Sequence, residues 1–205
     1  RTFRGADPRS QDLRMIFRET GLEGAYLIEP ERIVDQRGFF ARTWCIDEFD
    51  AQGITTDFVQ TSASFNESRS TLRGLHFQAE PASEAKLIRC TRGRAYDVMV
   101  DLRRDSRTFG EWRAFELSAD NGRLVYIPEG FGHGFQTQED RTEVTYHISE
   151  FYRPDLSSGI RWNDPDIGIA WPDPENPILS GRDQTLPFFR DFASISSRRH
   201  LRAAG

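Results

Sequence analysis

The sequence predicts an all-β protein, built as a sandwich or a barrel. Short segments that alternate apolar and polar residues recur at close intervals, and turn-forming residues separate them. Helical periodicity is almost absent, and no predicted strand leads into the long helix that a parallel sheet requires. The run Tyr96, Val98, Val100 and Leu102, whose members are separated by single residues, is typical of a strand with one buried face.

The strands follow one another with little between them. A turn is predicted at residues 35–38, and Asn121-Gly122 predicts a tight hairpin between the strands on either side of it. A short helix is expected at residues 47–52, with Asp47 as its cap. In chain order, the predicted strands are residues 24–34, 39–44, 58–64, 72–78, 86–90, 96–102, 112–117, 124–127, 131–137 and 142–148.

The ends of the chain differ in character from its middle. Residues 1–15 are polar and lack periodicity, so we expect a flexible arm, and residues 191–205 are expected to form a loose tail. Residues 16–190 are long enough to bury a core as a single domain. The Pro-rich run at residues 172–177 cannot sit inside a sheet, so we expect it to wrap the body and deliver residues 179–183 to a definite place.

Composition excludes several classes of function. The net charge of −5 gives no basic footprint for nucleic acid, so we expect no nucleic-acid partner. No apolar run approaches the roughly 20 residues of a membrane span, so we expect no membrane partner. Cys45 and Cys90 make no disulfide framework, which favours reduced thiols and a cytoplasmic location.

Two residues in neighbouring predicted strands are candidates for a chemical role. His76 points away from the apolar face formed by Leu75 and Phe77. Lys86 is the only lysine in a chain with 27 Lys plus Arg, which suggests that a compact ammonium is needed there. Chance in an arginine-rich sequence is the competing explanation. No His-x-His pair is present, and Gln78 stands where a second metal ligand would fall, so we expect no catalytic metal.

These residues fit proton transfer next to a carbonyl group, without a cofactor. The neutral imidazole of His76 can take a proton, and Asp183 can fix its tautomer. Lys86 can donate to the enolate oxygen, and the phenol of Tyr146 can return a proton from the opposite face. Taken singly, each of these residues is more often structural than catalytic.

Four motifs in one order give the sequence a family resemblance. They are RGLHFQ at residues 73–78, KLIRC at 86–90, PEGFGHGF at 128–135 and WNDP at 162–165. Together the motifs resemble the dTDP-4-dehydrorhamnose 3,5-epimerase family, and the match is collinear from about residue 16 to residue 188. The resemblance implies a jelly-roll fold of the cupin type, a homodimer that exchanges strands, and an isomerase without a cofactor.

The resemblance also implies a reaction and a set of site residues. The expected substrate is a dTDP-linked 4-keto-6-deoxyhexose, inverted at carbons 3 and 5, whose product would feed L-rhamnose or a related deoxysugar. His76, Lys86, Tyr146 and Asp183 fall on the family's catalytic positions. The expected substrate contacts are Arg37, Gln60, Arg73, His133 and Arg182.

Some features leave alternatives open. The sequence departs from the family pattern at Arg42, Ser62 and His147, and the first two departures lie in the expected substrate pocket. A single-position epimerase, a non-catalytic cupin that binds a sugar nucleotide, and a metal-dependent cupin enzyme are the competing hypotheses. In a regular strand Arg73 would lie opposite His76; a bulge at Gly74, or a phosphate reached from a neighbouring subunit, would remove this conflict.

Overall fold

The computed structural model describes residues 13–54 and 57–192, and strands make up most of their regular secondary structure. Three short α-helices accompany the strands in these residues: α1 (Ile46–Asp50), α2 (Gly181–Thr185) and α3 at residues 189–192. The strands are β1 (Met15–Glu19), β2 (Tyr26–Pro30), β3 (Arg32–Asp35), β4 (Gly38–Ala41), β5 (Gln60–Asn66), β6 (Leu72–Gln78), β7 (Lys86–Arg92), β8 (Arg94–Asp101), β9 (Trp112–Ser118), β10 (Leu124–Ile127), β11 (Phe131–Thr137), β12 (Thr142–Ile148) and β13 (Ser157–Gly159).

Two antiparallel sheets form the body of the fold. The six-stranded sheet has the order β1-β2-β10-β7-β12-β5, and the five-stranded sheet has the order β13-β6-β11-β8-β9. Strands β3 and β4 pair with each other as a separate hairpin. The predicted all-β, jelly-roll architecture is therefore confirmed.

Apolar side chains from both sheets fill the space between them. Ile88 and Val144 of the six-stranded sheet belong to the same buried cluster as Met99 and Phe135 of the five-stranded sheet. This interior core holds the two sheets together, because apolar area removed from water stabilises the fold by about 25 cal/mol per Å². The same interior also contains the polar side chains described below.

The outer face of each sheet is covered by a different part of the chain. Helix α1 buries Phe49 completely against the six-stranded sheet, where its ring lies 5.1 Å from that of Phe17. The chain after β13 covers the five-stranded sheet, and its buried Trp171 belongs to one cluster with Leu75 and Phe77 of β6. The C-terminal segment therefore wraps the body, as predicted.

The hairpin predicted at Asn121-Gly122 is wrong. Strand β9 pairs with β8 in one sheet, whereas β10 pairs with β2 and β7 in the other. The Asn121 side chain accepts hydrogen bonds from the backbone N–H groups of Ser118 and Arg123, and Gly122 has a φ of +62°. The turn is therefore tight, but it carries the chain from one sheet to the other.

The structure also corrects the predictions for the N-terminal part of the chain. The predicted strand 24–34 is divided into β2 and β3, and helix α1 is capped by Cys45, not by Asp47. Residues 13–15 do not belong to an arm: Leu13 and Met15 are buried, and β1 pairs with β2. The rest of the predicted arm lies outside the described residues.

The C-terminal tail also begins later than predicted. The ring of Phe192 packs 5.3 Å from that of Phe77, so residues 191 and 192 still belong to the fold. The predicted tail beyond them lies outside the described residues. Within residues 13–54 and 57–192, no helix has the length and apolar character needed to cross a membrane.

Candidate active site

A bulge in β6 decides which side chains face the interior. His76 pairs with His133, but Arg73 pairs with Phe135, so three steps along β6 match two steps along β11. Arg73 and His76 therefore face the same side of the sheet, which removes the conflict found in the sequence. The bulge is at Gly74, where φ is +125° and an added Cβ would lie 2.5 Å from the Gly134 Cα.

His76 forms a dyad with Asp183. Its Nε2 atom lies 2.5 Å from Oδ1 of Asp183, which stands in α2 and is 3% exposed. Burial alone would raise the pKa of Asp183, but the bonds from His76 and Ser180 and the charge of Arg182 lower it below its ordinary value. Since the carboxylate accepts, Nε2 carries a proton and Nδ1 keeps its lone pair. The His76 side chain is 35% exposed, so a ligand can reach it.

The C-terminal segment delivers Asp183 to His76, as the Pro-rich run predicted. Ile178 exchanges backbone hydrogen bonds with Ser70 and Leu72, both of 2.9 Å, at the start of β6. Two residues later, the Ser180 hydroxyl accepts from the Asp183 backbone N–H and caps α2. The backbone bonds of Ile178 and the Ser180 cap therefore fix the start of α2, and with it the position of the Asp183 carboxylate.

Lys86 begins β7 and is 8% exposed. Ile88 and Cys90, two and four residues further along the strand, belong to the interior core. Since alternate residues of a strand point to the same face, Lys86 also points toward the interior. Its Nζ atom lies 2.8 Å from Oε1 of Glu84, whose side chain is 12% exposed. Sequence reasoning missed Glu84, although its position two residues before Lys86 in an extended segment places both side chains on one side.

Tyr146 lies in β12 and points between the sheets. Burial, and then the negative charge of Asp97, raise the pKa of its hydroxyl above the ordinary tyrosine value, which the nearby Arg73 and Ser64 partly offset. The phenol therefore remains protonated at neutral pH. The ring of His133 lies edge-on to it, with the centroids 6.0 Å apart.

His133 is buried and bonded to an acid that sequence reasoning missed. Its Nε2 atom lies 2.9 Å from Oδ2 of Asp97, which is completely buried in β8. Asn66, which lies beyond the predicted strand 58–64, is also part of the site: it ends β5 and accepts from Nε of Arg73 at 2.8 Å. Asp97 lies among apolar residues and Asn66 among mostly polar ones, and neither sequence context carries a signal of its tertiary partner.

The remaining predicted contacts divide into two groups. Gln60 accepts from the Tyr152 backbone N–H at 2.6 Å, and Arg182 donates to the Ser157 hydroxyl at 2.8 Å. Gln60 begins β5, and Arg182 lies in α2 next to Asp183. Arg37 differs: it stands at the tip of the β3–β4 hairpin, where its guanidinium donates to the carboxylate of Asp35. The fold of one chain does not bring Arg37 to the dyad.

Comparisons with known proteins show the family to which the chain belongs. The family described as dTDP-4-dehydrorhamnose 3,5-epimerase matches residues 19–191. An enzyme of that name from Methanothermobacter thermautotrophicus is 48% identical over 76% of this chain and 83% of its own length. The crystal structure of the Bacillus anthracis enzyme is 44% identical, with a TM-score of 0.83, and the match covers 86% of this chain and all of that one. The chain belongs to the dTDP-4-dehydrorhamnose 3,5-epimerase family.

Members of this family are isomerases, but they do not all carry the same name. A dTDP-4-dehydrorhamnose 3-epimerase from Streptomyces niveus is 39% identical over 83% of this chain and 82% of its own length. The relatives of this chain therefore include enzymes named as 3,5-epimerases and one named as a 3-epimerase.

The three departures from the family pattern occupy different places. Arg42 donates to the Leu13 carbonyl and pairs with Glu48 at 2.8 Å, so it holds the N-terminal strand. Ser62 is exposed in β5, directly opposite Tyr146. His147 lies on the outer face, where Nδ1 is 3.0 Å from the Thr61 hydroxyl, and burial lowers its pKa. Of the three, Ser62 alone neighbours a candidate catalytic side chain in the sheet.

Proposed function

We propose that this protein inverts carbons 3 and 5 of a dTDP-4-keto-6-deoxyhexose by abstracting and returning protons next to the ketone. The observation that carries the proposal is the His76–Asp183 dyad, which shares the interior between the sheets with Tyr146 and Lys86. A binding protein has no use for a base with an oriented free nitrogen and a protonated phenol that both face the space between the sheets. The arrangement therefore favours catalysis over binding alone.

The geometry supports a reaction in two proton transfers at each carbon. Nδ1 of His76 takes the proton from the carbon beside the ketone, and Asp183 stabilises the imidazolium that forms. The electron pair moves to the ketone oxygen, and the ammonium of Lys86 stabilises the enolate. The hydroxyl of Tyr146 then gives its proton to the opposite face of the same carbon, which inverts it. No step needs a cofactor.

The positively charged residues around the dyad suit a nucleotide diphosphate. Arg73 is exposed and held by Asn66, and Arg182 stands beside Asp183. Guanidinium groups bind phosphate oxygens through two parallel hydrogen bonds, which suits a diphosphate. The Bacillus anthracis structure, which has TDP and PPi bound, supports this assignment. Gln60 and His133 complete the proposed contacts.

A single-position epimerase is the second candidate, because the Streptomyces niveus relative carries that name. The experiment that separates the candidates is proton NMR of the product formed from a dTDP-4-keto-6-deoxyhexose in deuterated buffer. We expect deuterium at carbons 3 and 5 with both carbons inverted. The assay includes excess EDTA, since we expect no metal requirement. Deuterium at one carbon would favour the second candidate, and loss of activity in EDTA would overturn the metal-free mechanism.

Lys86→Arg should lower the turnover number by about 10²–10³-fold, because the larger, planar guanidinium replaces the compact ammonium that donates to the enolate oxygen. Affinity for the substrate should change little, since the charge is kept. The steady-state rate of deuterium exchange measures the effect, and dTDP titration measures binding. Glu84→Gln is the companion variant: it keeps Lys86 but removes the carboxylate that holds it, and should give a smaller loss. A Lys86→Arg enzyme with wild-type turnover would contradict the assigned role.

We infer that the active form is a homodimer assembled through the β3–β4 hairpin. Its large apolar side chains are exposed, including Val34 at 73% and Phe40 at 65%. An apolar hairpin of this kind requires cover, and a second copy of the chain provides it by strand exchange, as the family resemblance implies. The same exchange would carry Arg37 into the site of the partner.

The free thiols of Cys45 and Cys90 support a location in the reducing cytoplasm.

Mixing Arg37→Ala and His76→Ala proteins tests the shared site. Each variant alone should have low activity. If Arg37 serves the partner's site, a heterodimer contains one site with both residues intact, so random exchange should restore about a quarter of wild-type activity. Native mass spectrometry of the mixture provides the control for subunit exchange, because the heterodimer has a mass between those of the two homodimers. If exchanged mixtures stay inactive, Arg37 acts within its own chain or not at all.

A further inference from the structure

The proton-transfer mechanism gives no role to the buried carboxylate of Asp97. Asp97 is 0% exposed, and it faces the interior from β8. Its Oδ2 atom bonds to His133, but Oδ1 has no hydrogen-bond partner in the described part of the chain. A buried carboxylate with one bonded oxygen is costly unless a positive charge compensates it.

His133 is the group that can provide this charge. The charged or titratable side chains near it are Asp97 on β8, His76 and Arg73 on β6, and Tyr146 on β12. Arg73 donates its Nε proton to Asn66, and His76 bonds to Asp183. An imidazolium at His133 would make its pair with Asp97 neutral and leave a proton on Nδ1.

The position of His133 indicates which part of a substrate this N–H would meet. His133 pairs across the strands with His76, and its ring is edge-on to Tyr146, so it lies between the proposed base and the proposed acid. Its side chain is only 5% exposed, whereas the arginines suited to a diphosphate lie nearer the surface. A buried imidazolium at His133, between the proposed base and the proposed acid, would therefore face the part of the sugar that reacts.

From this placement we propose that Asp97 is a positioning residue, which holds His133 as an imidazolium whose Nδ1–H donates to the ketone oxygen of the substrate. This inference rests on the proposed function. His133 then acts with Lys86 as a second donor to the oxygen that becomes negative in the enolate. Asp97 itself touches no reacting atom, and its role is to fix the ring and its charge.

The ionisation of His133 can be tested without substrate. Nitrogen NMR of the full chain, labelled with ¹⁵N-histidine, reports which ring nitrogens carry protons, and His133→Gln assigns the signals. We expect both nitrogens of His133 to be protonated at neutral pH, and Asp97→Asn to leave one of them without a proton. A neutral His133 in the wild-type protein would overturn the proposal.

Kinetics test the part that concerns the ketone. We expect Asp97→Asn to lower kcat for deuterium exchange by about 10²-fold with KM nearly unchanged, and to have little further effect in a His133→Gln background. A rise in KM alone would mean that His133 binds the diphosphate, and additive losses would mean that Asp97 acts elsewhere. Either result overturns the proposal.

A matched variant separates this role from general destabilisation. Asp101 is also completely buried in β8, but it bonds to Arg103, Ser106 and Thr108. Asp101→Asn should lower the melting temperature while kcat stays near the wild-type value. If it lowers kcat as much as Asp97→Asn does, the effect is structural. A wild-type protein without exchange activity would overturn the proposed function, whereas the NMR result still decides the ionisation of His133.

Discussion

His76→Ala should abolish the exchange of sugar-bound protons with deuterated solvent. Without the imidazole no group with a free lone pair faces the substrate carbon, so no enolate forms, and we expect a loss of about 10³-fold or more. Proton NMR of the 4-ketosugar nucleotide in deuterated buffer measures the loss directly, because it detects abstraction whether or not the carbon is inverted. Undiminished exchange would remove His76 as the base, and with it the mechanism proposed above.

Two further variants make the result specific. His147→Ala also removes an imidazole, but from the outer face, where the ring contacts Phe58 and the Thr61 hydroxyl, so its activity should stay near wild type. Asp183→Asn keeps His76 but replaces the acceptor at Nε2 with an amide that can donate. The proton would then move to Nδ1, and we expect exchange to fall by about 10²–10⁴-fold.

The sequence predicted the fold well because most strands carry their own signal. Segment 72–78 alternates along its length, and it is strand β6 in the structure. Strand β1 gave no such signal, because Met15, Ile16 and Phe17 are consecutive apolar residues and the strand exists through its pairing with β2. The turn at Asn121-Gly122 shows the complementary limit: a local pattern identifies a tight turn, but it does not say which sheet the next strand joins.

The site residues also divide into those that have a signal in the local sequence and those that do not. His76 and Lys86 stand out through their residue type and their alternation, and the resemblance to known epimerases extended the assignment to Tyr146 and Asp183. Asn66 and Asp97 were missed because each depends on a tertiary contact: Asp97 lies 36 positions before His133. Glu84 was missed although its partner Lys86 is only two residues away. The bulge at Gly74 belongs to this second class as well, although the conflict between Arg73 and His76 in a regular strand pointed to it.

Tyr146→Phe should separate abstraction from inversion. The substitution keeps the ring that packs edge-on to His133 and removes only the hydroxyl, which is the proposed acid. His76 and Lys86 remain, so the enolate still forms, and His76 can return deuterium to the face from which it took the proton. We therefore expect deuterium to enter at carbon 3, or at carbons 3 and 5, at a rate within about tenfold of wild type. Inverted product should fall by about 10²–10³-fold.

The same NMR assay provides two readouts. Loss of the carbon-bound proton signals reports abstraction, and the coupling constants of the product report inversion. Tyr126→Phe is the matched control, because Tyr126 is a buried tyrosine in the cluster under α1, on the outer side of the sheet, and its loss should leave both readouts unchanged. Full epimerisation by Tyr146→Phe would make the phenol a bystander. Loss of both readouts would mean that the hydroxyl is needed to form the enolate, and would place its role before the step at which inversion is decided.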